Sequence, residues 1–307
     1  MPNTLAQQRI VDPVLTTIAQ GYQQADLVAH RLLPNIPHDK EGGKIPRYDK
    51  SAFKEYNTTR AIRTNSVRVD LGHDSIPFVM EEESIEVPTD EREREDSALD
   101  TDEVATKTAQ GIINLTHERK VASLVTATAS YGAGSYVNVA ADDRWSNYPS
   151  ATSLPVVAID DAKEVIRGKV GRYPNVLVIG PKVFKALKSH PTIIDRIKYS
   201  QKGVITEELL ATIFDVDEVW VGKAIKSSDA GTMSDVWGND AVLAVVPKDN
   251  KGLGVPAFGY TLHKKGRPLV ETYFDPGAKS KIVVASDIFA AVITASEAGY
   301  LFKGAVA

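Results

Sequence analysis

Cysteine is absent from the 307 residues of this sequence. The absence excludes disulfide bonds, thiolate nucleophiles and cysteine-ligated metal sites. Long apolar runs are absent as well: one of the longest, residues 288 to 293, is far short of the roughly 20 residues that span a bilayer. The N-terminus lacks the basic region and apolar core of a signal peptide. We therefore expect no membrane association, and the lack of cysteine suits a reducing compartment.

A strong excess of one charge sign is also absent. The formal net charge is −4, with 25% charged and 43% hydrophobic residues, which is ordinary for a globular protein. A protein whose main task is coating nucleic acid needs a clearly basic face, so this balance argues against that class. The length allows one large domain or two of ordinary size.

Two neighbouring segments nevertheless carry opposite charge. Residues 81 to 103 contain twelve acidic side chains and two basic ones, whereas residues 40 to 68 contain eight basic and three acidic ones. An acidic run is usually a solvated face, and a salt-bridge surface between molecules is the alternative. The basic segment also has interleaved aromatic residues, a weak indication of single-stranded nucleic-acid binding because acidic residues lie among them.

Motifs for catalysis or cofactor binding are missing from the sequence. The stretch NVLVIGPKVFKALKSH begins like a nucleotide-binding strand–turn–helix, but Gly180 is its only glycine and Pro181 has no N–H for a phosphate. We therefore favour a turn that serves packing. The stretch HERKV has Val121 where a zinc-protease helix needs its second histidine, and the six histidines show no ligand spacing. We expect no catalytic residue, no cofactor and no bound metal.

The first half of the sequence predicts an unusual order of elements. A short helix is expected over residues 12 to 21, with Asp12 as its cap. Prolines and strand-like alternation over residues 34 to 88 indicate a long β-hairpin or arm that buries little by itself. Apolar spacing of three or four residues then predicts a long helix of about 30 residues over 96 to 130, interrupted by Gly111 and ended by the stretch YGAGSY.

The second half alternates helices and strands and then becomes mostly β. The alternation indicates a compact α/β domain. Three helices are predicted: one that begins at Asp160 or Asp161 and ends at Gly168, one over residues 182 to 188 and one over residues 206 to 214. Three strands are predicted, over residues 176 to 179, 218 to 221 and 241 to 247. Beyond it we predict strands separated by turns at Gly266, Pro276–Gly277 and Gly299.

In this order of elements, the sequence resembles the major capsid proteins of tailed bacteriophages. The resemblance covers nearly the whole chain and rests on loose clusters of proline, glycine and apolar residues. The stretches that carry it are DPVLTTIAQGY, ATSLPVVAIDDAKEVIRGKVGRYPNVLVIGPKVFKALKSHPTIIDRIKY, VWGNDAVLAVVP and ASDIFAAVITASEAGYLF. It implies an α+β Hong Kong 97-type capsid fold with an N-terminal arm, an extended β-hairpin E-loop, a long spine helix, a peripheral domain and an α/β axial domain.

The resemblance also implies boundaries for these parts. The expected division is an N-terminal arm over residues 1–40, the E-loop over 41–80, a peripheral domain with the spine helix over 81–154, the axial domain over 155–250 and return strands of the peripheral domain over 251–307. In such proteins the E-loop reaches onto a neighbouring subunit. The predicted β-hairpin, which buries little by itself, would then be covered by a second copy; this hairpin and its extension are called the arm below.

The resemblance implies that the chain is a structural major capsid protein. Such a protein self-assembles into the icosahedral head shell around double-stranded DNA. The implied partners are further copies in hexamers and pentamers, a separate scaffolding protein, a portal protein and non-specifically contacted DNA, in a virion assembled in the host bacterial cytoplasm. Charge pairing between subunits makes these residues candidate contacts: Lys44, Arg47, Lys50, Lys54, Arg60, Arg63, Glu91, Glu93, Glu95 and Asp96.

Two other functions stay open at the level of sequence. An encapsulin-like nanocompartment shell protein shares the implied fold but packages enzymes instead of DNA. A soluble α/β nucleotide-binding enzyme with a pocket near Gly180 is the alternative from a different class. Particle size distinguishes the shell proteins from the enzyme, and particle content distinguishes the two shells.

Overall fold

The computed structural model describes residues 27–48, 54–69, 73–97, 101–198, 205–248 and 257–307. The helix predicted over residues 12 to 21 lies outside these ranges. The helices, in chain order, are α1 (Ala29–Leu32), α2 (Glu91–Asp96), α3 (Thr101–Val125), α4 (Pro155–Val170), α5 (Pro181–Lys188), α6 (Pro191–Ile197) and α7 (Glu207–Phe214). Among the described helices, none has the length and hydrophobicity needed to cross a membrane.

The strands form two five-stranded sheets and two separate two-stranded ribbons. In chain order they are β1 (Asn35–His38), β2 (Gly42–Tyr48), β3 (His73–Val79), β4 (Glu81–Asp90), β5 (Tyr136–Asn138), β6 (Val176–Ile179), β7 (Glu218–Val221), β8 (Ile225–Ser227), β9 (Met233–Asp235), β10 (Ala241–Ala244), β11 (Gly259–Lys264), β12 (Leu269–Asp275), β13 (Ser280–Ile293) and β14 (Gly299–Lys303).

The first sheet is built around β13, the longest strand of the described chain. This strand pairs antiparallel with β4 and also with β12 and β11, while β1 joins β11 in parallel. The long helix α3 packs on the sheet, where Ala109 and Ile113 contact Ala285 in a small apolar cluster. Helix α3 therefore covers part of one face of the sheet.

The second sheet, in the order β5-β14-β10-β6-β7, holds the main core. Every side chain of β6 and β10 is buried, as expected for central strands with both faces covered. The parallel pair β6–β7 is connected by α5, α6 and α7, a crossover of the kind that parallel strands require. The predictions of strands at residues 176 to 179 and 218 to 221 are confirmed.

The Gly180–Pro181 turn after β6 serves packing. A β-carbon placed on Gly180 would lie 2.0 Å from the carbonyl oxygen of Gly238, so only glycine permits this approach of two backbone segments. Pro181 takes the first helical position of α5, where its missing N–H costs nothing. The packing interpretation of this turn is confirmed.

The prediction of one helix over residues 96 to 130 was wrong at both ends. Ser97 is extended and separates α2 from α3, which has 25 residues. At the other end the hydroxyl groups of Ser130 and Tyr131 donate to the carbonyl oxygens of Leu124 and Val125. These bonds satisfy two of the carbonyls that a helix end leaves unpaired, so α3 ends before the YGAGSY stretch. Gly111 lies within a continuous helix.

Helix α4 is longer than predicted. It begins at Pro155, a residue suited to the first turn, and ends where Gly171 adopts a left-handed φ of 75°. The strand predicted over residues 241 to 247 ends earlier, at Ala244. Gly299 is the first residue of β14 and not a turn.

The predicted arm is present as a β-hairpin with an irregular extension. Strands β2 and β3 pair from Gly42↔Val79 to Tyr48↔His73, which confirms the hairpin. Residues 54–69, the part of the extension that the structure describes, contain no strand, although strand-like alternation was expected over residues 34 to 88. The backbone of residues 54–69 pairs with no strand of the described chain, and the side chains of these residues are exposed.

The last segment of the chain is shared between the two sheets. Strands β11 to β13 belong to the first sheet, whereas β14 pairs with β10 and β5 in the second. The return of the chain is thus divided between the regions that we expect to be the peripheral and axial domains. The exact domain boundaries stay a prediction.

Candidate subunit interface

Five of the six basic candidate residues are described, and they lie on the β2–β3 hairpin and its extension with their side chains in solvent. Each of Lys44, Arg47, Lys54, Arg60 and Arg63 is exposed. Within the described ranges, no salt bridge joins any of them to an acidic side chain. Their charge is therefore not neutralised by the described part of their own chain. The sixth basic candidate, Lys50, lies outside the described residues.

The arm also exposes large apolar side chains. Ile62 is 90% exposed and Val79 is 75% exposed, and Val67 and Val69 are exposed as well. Single exposed apolar residues are common on protein surfaces, but several on one arm without a covering element indicate a contact surface. The arm therefore combines exposed apolar groups with unneutralised positive charge.

The acidic candidates lie on α2, which begins after the first sheet's strand β4. Asp90 caps this helix by accepting a hydrogen bond from the Arg92 backbone N–H at 2.9 Å. Glu91 and Glu95 are exposed and Glu93 is half-buried; no salt bridge to these three residues occurs among the described side chains. The side chain of Asp96 is not within the description. Among the described side chains, no salt bridge therefore joins the arm cations to α2.

Other members of the acidic run are neutralised within the chain. Lys120 on α3 reaches Glu81 at 2.7 Å and Glu83 at 2.5 Å on β4. Lys281 on β13 reaches Asp102 at 2.6 Å, and this hydrogen bond lowers the pKa of Asp102. The acidic run therefore has two parts. One part pairs with lysines and attaches α3 to the first sheet, whereas Glu91, Glu93 and Glu95 of α2 make no salt bridge among the described side chains.

Glu118 is a functional side chain that sequence reasoning missed. It is fully buried on α3, and its carboxylate accepts hydrogen bonds from the backbone N–H groups of Val28 at 3.0 Å and Ala29 at 2.9 Å and from the Trp237 indole at 2.7 Å. Helix α1 has no capping side chain of its own, so Glu118 satisfies its first N–H groups. One carboxylate thus joins the start of the described chain, the long helix α3 and Trp237 in the segment between β9 and β10.

His117, the residue before Glu118, lies in a partly buried aromatic cluster. Its ring is 5.5 Å from that of His263 and 5.0 Å from that of Phe289. Burial and, secondly, the neighbouring His263 lower the pKa of His117 from 6.5 to about 4, although Asp287 opposes the shift. Asp287 pairs with His263 Nδ1 at 3.2 Å. The junction between α3 and the first sheet therefore contains a histidine that is neutral at physiological pH.

Lys163 anchors α4 to α7. Its buried ammonium group donates to the carbonyl oxygens of Phe214 at 2.9 Å and Asp215 at 3.0 Å, at the end of α7. A cation near unpaired C-terminal carbonyls interacts favourably with the helix dipole. These hydrogen bonds hold the Lys163 side of α4 against α7, and the residues on the other side of α4, such as Val157 and Asp161, are exposed.

Helix α3 packs on the first sheet and its last turns enter the main core beside the second sheet, while the exposed arm extends from the β2–β3 hairpin. This is the Hong Kong 97-type fold. The capsid protein of Cyanophage P-SCSP1u has this fold, with a TM-score of 0.64 and 11% identity, covering 98% of this chain and 95% of that one. An encapsulin from Synechococcus elongatus PCC 7942 shares it, with a TM-score of 0.56 and 12% identity, covering 96% and 95%. At these identities the likeness concerns the fold alone.

Residues 93–256 match the family described as phage major capsid protein E. The chain is 42% identical to the major capsid protein of Burkholderia phage BcepMu over 98% of both chains. The crystal structure of a phage-related protein from Bordetella bronchiseptica RB50 has a TM-score of 0.75 and 35% identity, covering 97% of this chain and 98% of that one. The chain belongs to the phage major capsid protein E family, and it is a structural subunit of a phage head shell.

Proposed function

We propose that this chain forms pentamers and hexamers that close into the icosahedral head around double-stranded DNA. It acts without catalysis, and the head is assembled in the host cytoplasm with a separate scaffolding protein and a portal protein. Membership of a major capsid protein family, through a relative that matches over 98% of both chains, supports the phage shell in preference to an enzyme compartment. The finished particle is the expected location of the protein.

The observation that carries this proposal is the exposed arm. Residues 54–69 extend from the β2–β3 hairpin with every side chain exposed, Ile62 among them. An isolated chain gains nothing from such an arm, because it orders backbone at an entropic cost without burying apolar area. A neighbouring subunit that covers the arm supplies the missing burial.

Charge complementarity suggests where the arm lies. The arm carries Arg60 and Arg63, whereas α2 carries Glu91, Glu93 and Glu95, and neither set is neutralised within the described chain. Single exposed ion pairs contribute only about 0–1 kcal/mol. Repeated over a shell, they set the orientation of subunits and reject wrong ones. We therefore place the arm of one subunit against α2 of another.

Reversing the arm charges tests this placement. Arg60→Glu with Arg63→Glu is expected to lower the yield of closed particles by roughly tenfold or more, since like charges would then face each other across many copies. Sedimentation of particles at several salt concentrations measures the yield. Combining it with Glu91→Arg, Glu93→Arg and Glu95→Arg should restore the particles. Unchanged shells from the arm variant at every salt concentration would contradict the placement.

A further inference from the structure

A shallow groove opens at one end of the second sheet, where β6 and β14 end and β10 begins. The registers Ala241↔Ile179 and Ala241↔Phe302 place these strand ends side by side. Beyond them the groove is lined by Lys182 at the start of α5, by Ile225 and Met233 of the β8–β9 ribbon, by residues 238–240, and by Lys303 at the end of β14 with Gly304. Met233 is 65% exposed. The groove thus offers an open apolar surface beside a cation.

The charges around this groove leave a positive edge on the α5 side. Lys303 and Asp240 pair at 2.7 Å and neutralise each other, which leaves Lys182 at one edge and Asp235 on the ribbon. Lys182 is the first of three exposed lysines spaced three residues apart on α5, followed by Lys185 and Lys188. An acidic partner is favoured on this side.

A surface of matching character lies on α4. Lys163 fixes the inner side of this helix against α7. Its outer side exposes Leu154 just before the helix and Val157 on its first turn, with Val157 47% exposed. Asp161 follows Val157 one turn later, is exposed, and makes no salt bridge within the described chain. Apolar groups thus stand beside an unneutralised carboxylate, the complement of the groove.

We propose that the outer side of α4 in one subunit docks into this groove of the next subunit around the capsomer axis. Val157 packs against Met233, and Asp161 faces Lys182. The proposal rests on the proposed function, since it specifies how neighbouring copies meet in a ring. A ring of identical subunits is closed by head-to-tail contacts, in which one surface of each copy binds a different surface of the next copy. The helix side and the sheet end are two such surfaces.

Disulfide trapping tests this contact directly, because the chain has no cysteine of its own. The full-length variant Val157→Cys with Met233→Cys is assembled, oxidised with copper phenanthroline and separated by electrophoresis without reductant. A ladder of covalent oligomers that rises to the size of one capsomer is expected. Each single variant is the matched control and gives at most dimers, because one cysteine per chain links only two chains.

The outcomes separate this proposal from the function on which it rests. Closed shells from the double-cysteine variant without a ladder would overturn the contact and leave the shell function intact. If that variant does not assemble, the charge pair decides: Asp161→Lys and Lys182→Asp should each reduce capsomer yield, and together they should restore it. No restoration would overturn the contact. A native chain that forms no assembly would instead contradict the proposed function.

Discussion

Replacing Glu118 by alanine is expected to lower the free energy of unfolding by about 3 to 5 kcal/mol. The substitution leaves three buried donors without their acceptor: the backbone N–H groups of Val28 and Ala29 and the indole N–H of Trp237. Each unsatisfied buried donor costs about 1–3 kcal/mol, and the three costs do not add fully. Urea unfolding of the full-length chain, followed by tryptophan fluorescence, measures the loss.

A matched control for this variant is available on the same helix. Glu103 pairs with Lys107 one turn on, and both side chains are 61% exposed, so Glu103→Ala should change stability by less than about 0.5 kcal/mol. Glu118→Gln keeps one acceptor oxygen and should fall between the two. Equal stabilities of the Glu118→Ala and Glu103→Ala variants would show that Glu118 does not join the three segments. Faster proteolysis near residue 27 in Glu118→Ala would locate the loosened contact.

Acidification is expected to destabilise the subunit through His117. Its pKa is about 4 in the folded chain and 6.5 in the reference state, so the unfolded chain takes up the proton first as the pH falls. The stabilising contribution of the neutral imidazole is therefore complete above about pH 6.5 and is lost progressively down to about pH 4, by about 3 kcal/mol in total. The measurement is urea unfolding at successive pH values.

His117→Gln isolates this contribution from other acid-sensitive groups. Protonation of carboxylates such as Asp102, whose pKa is lowered by Lys281, also destabilises the chain in acid. These carboxylates titrate in the native chain and in the His117→Gln variant alike, so their effect cancels in the difference. The difference between native chain and variant should thus shrink as the pH falls through this window, and the variant's pH profile should be flatter. Parallel profiles would contradict the assignment. His38→Gln, at a histidine that packs on Phe78 outside this cluster, is the control for a general effect of removing a histidine.

Local signals in the sequence identified the elements of the second sheet correctly. The strand predicted at residues 176 to 179 and the helix predicted at 206 to 214 correspond to β6 and α7, and the structure has both. The start of α4 was missed although Pro155 marks it, because the prediction relied on the aspartates that follow. Short buried strands and capped helices are predictable because their causes lie within a few residues.

Features that depend on distant contacts were not predictable in this way. Helix α3 ends where Ser130 and Tyr131 bond its last carbonyls, and propensity alone does not reveal such bonds. Glu118 lies in a polar stretch of sequence, yet it is three and four residues before the buried Val121 and Ala122. A charged residue on the buried stripe of a helix was the available signal. The sharing of the last strands between two sheets had no local signal.

The candidate contacts are only partly open to test by a single chain. The structure exposes five of the basic candidates, Glu91 and Glu95, and leaves Glu93 half-buried. Among the described side chains, no salt bridge joins the two sets, and pairing between subunits stays a prediction. Which side chains meet depends on the arrangement of copies, and that arrangement is a property of the assembly.

The assembly state of the purified full-length chain tests the central claim most directly. Sedimentation velocity combined with electron cryomicroscopy should give closed icosahedral shells, or the rings of five and six subunits from which they are built. In those shells the arm at residues 54–69 should lie on an adjacent subunit and its apolar side chains should be covered. A chain that remains a monomer or a dimer at every salt and protein concentration, with its arm uncovered, would contradict the account.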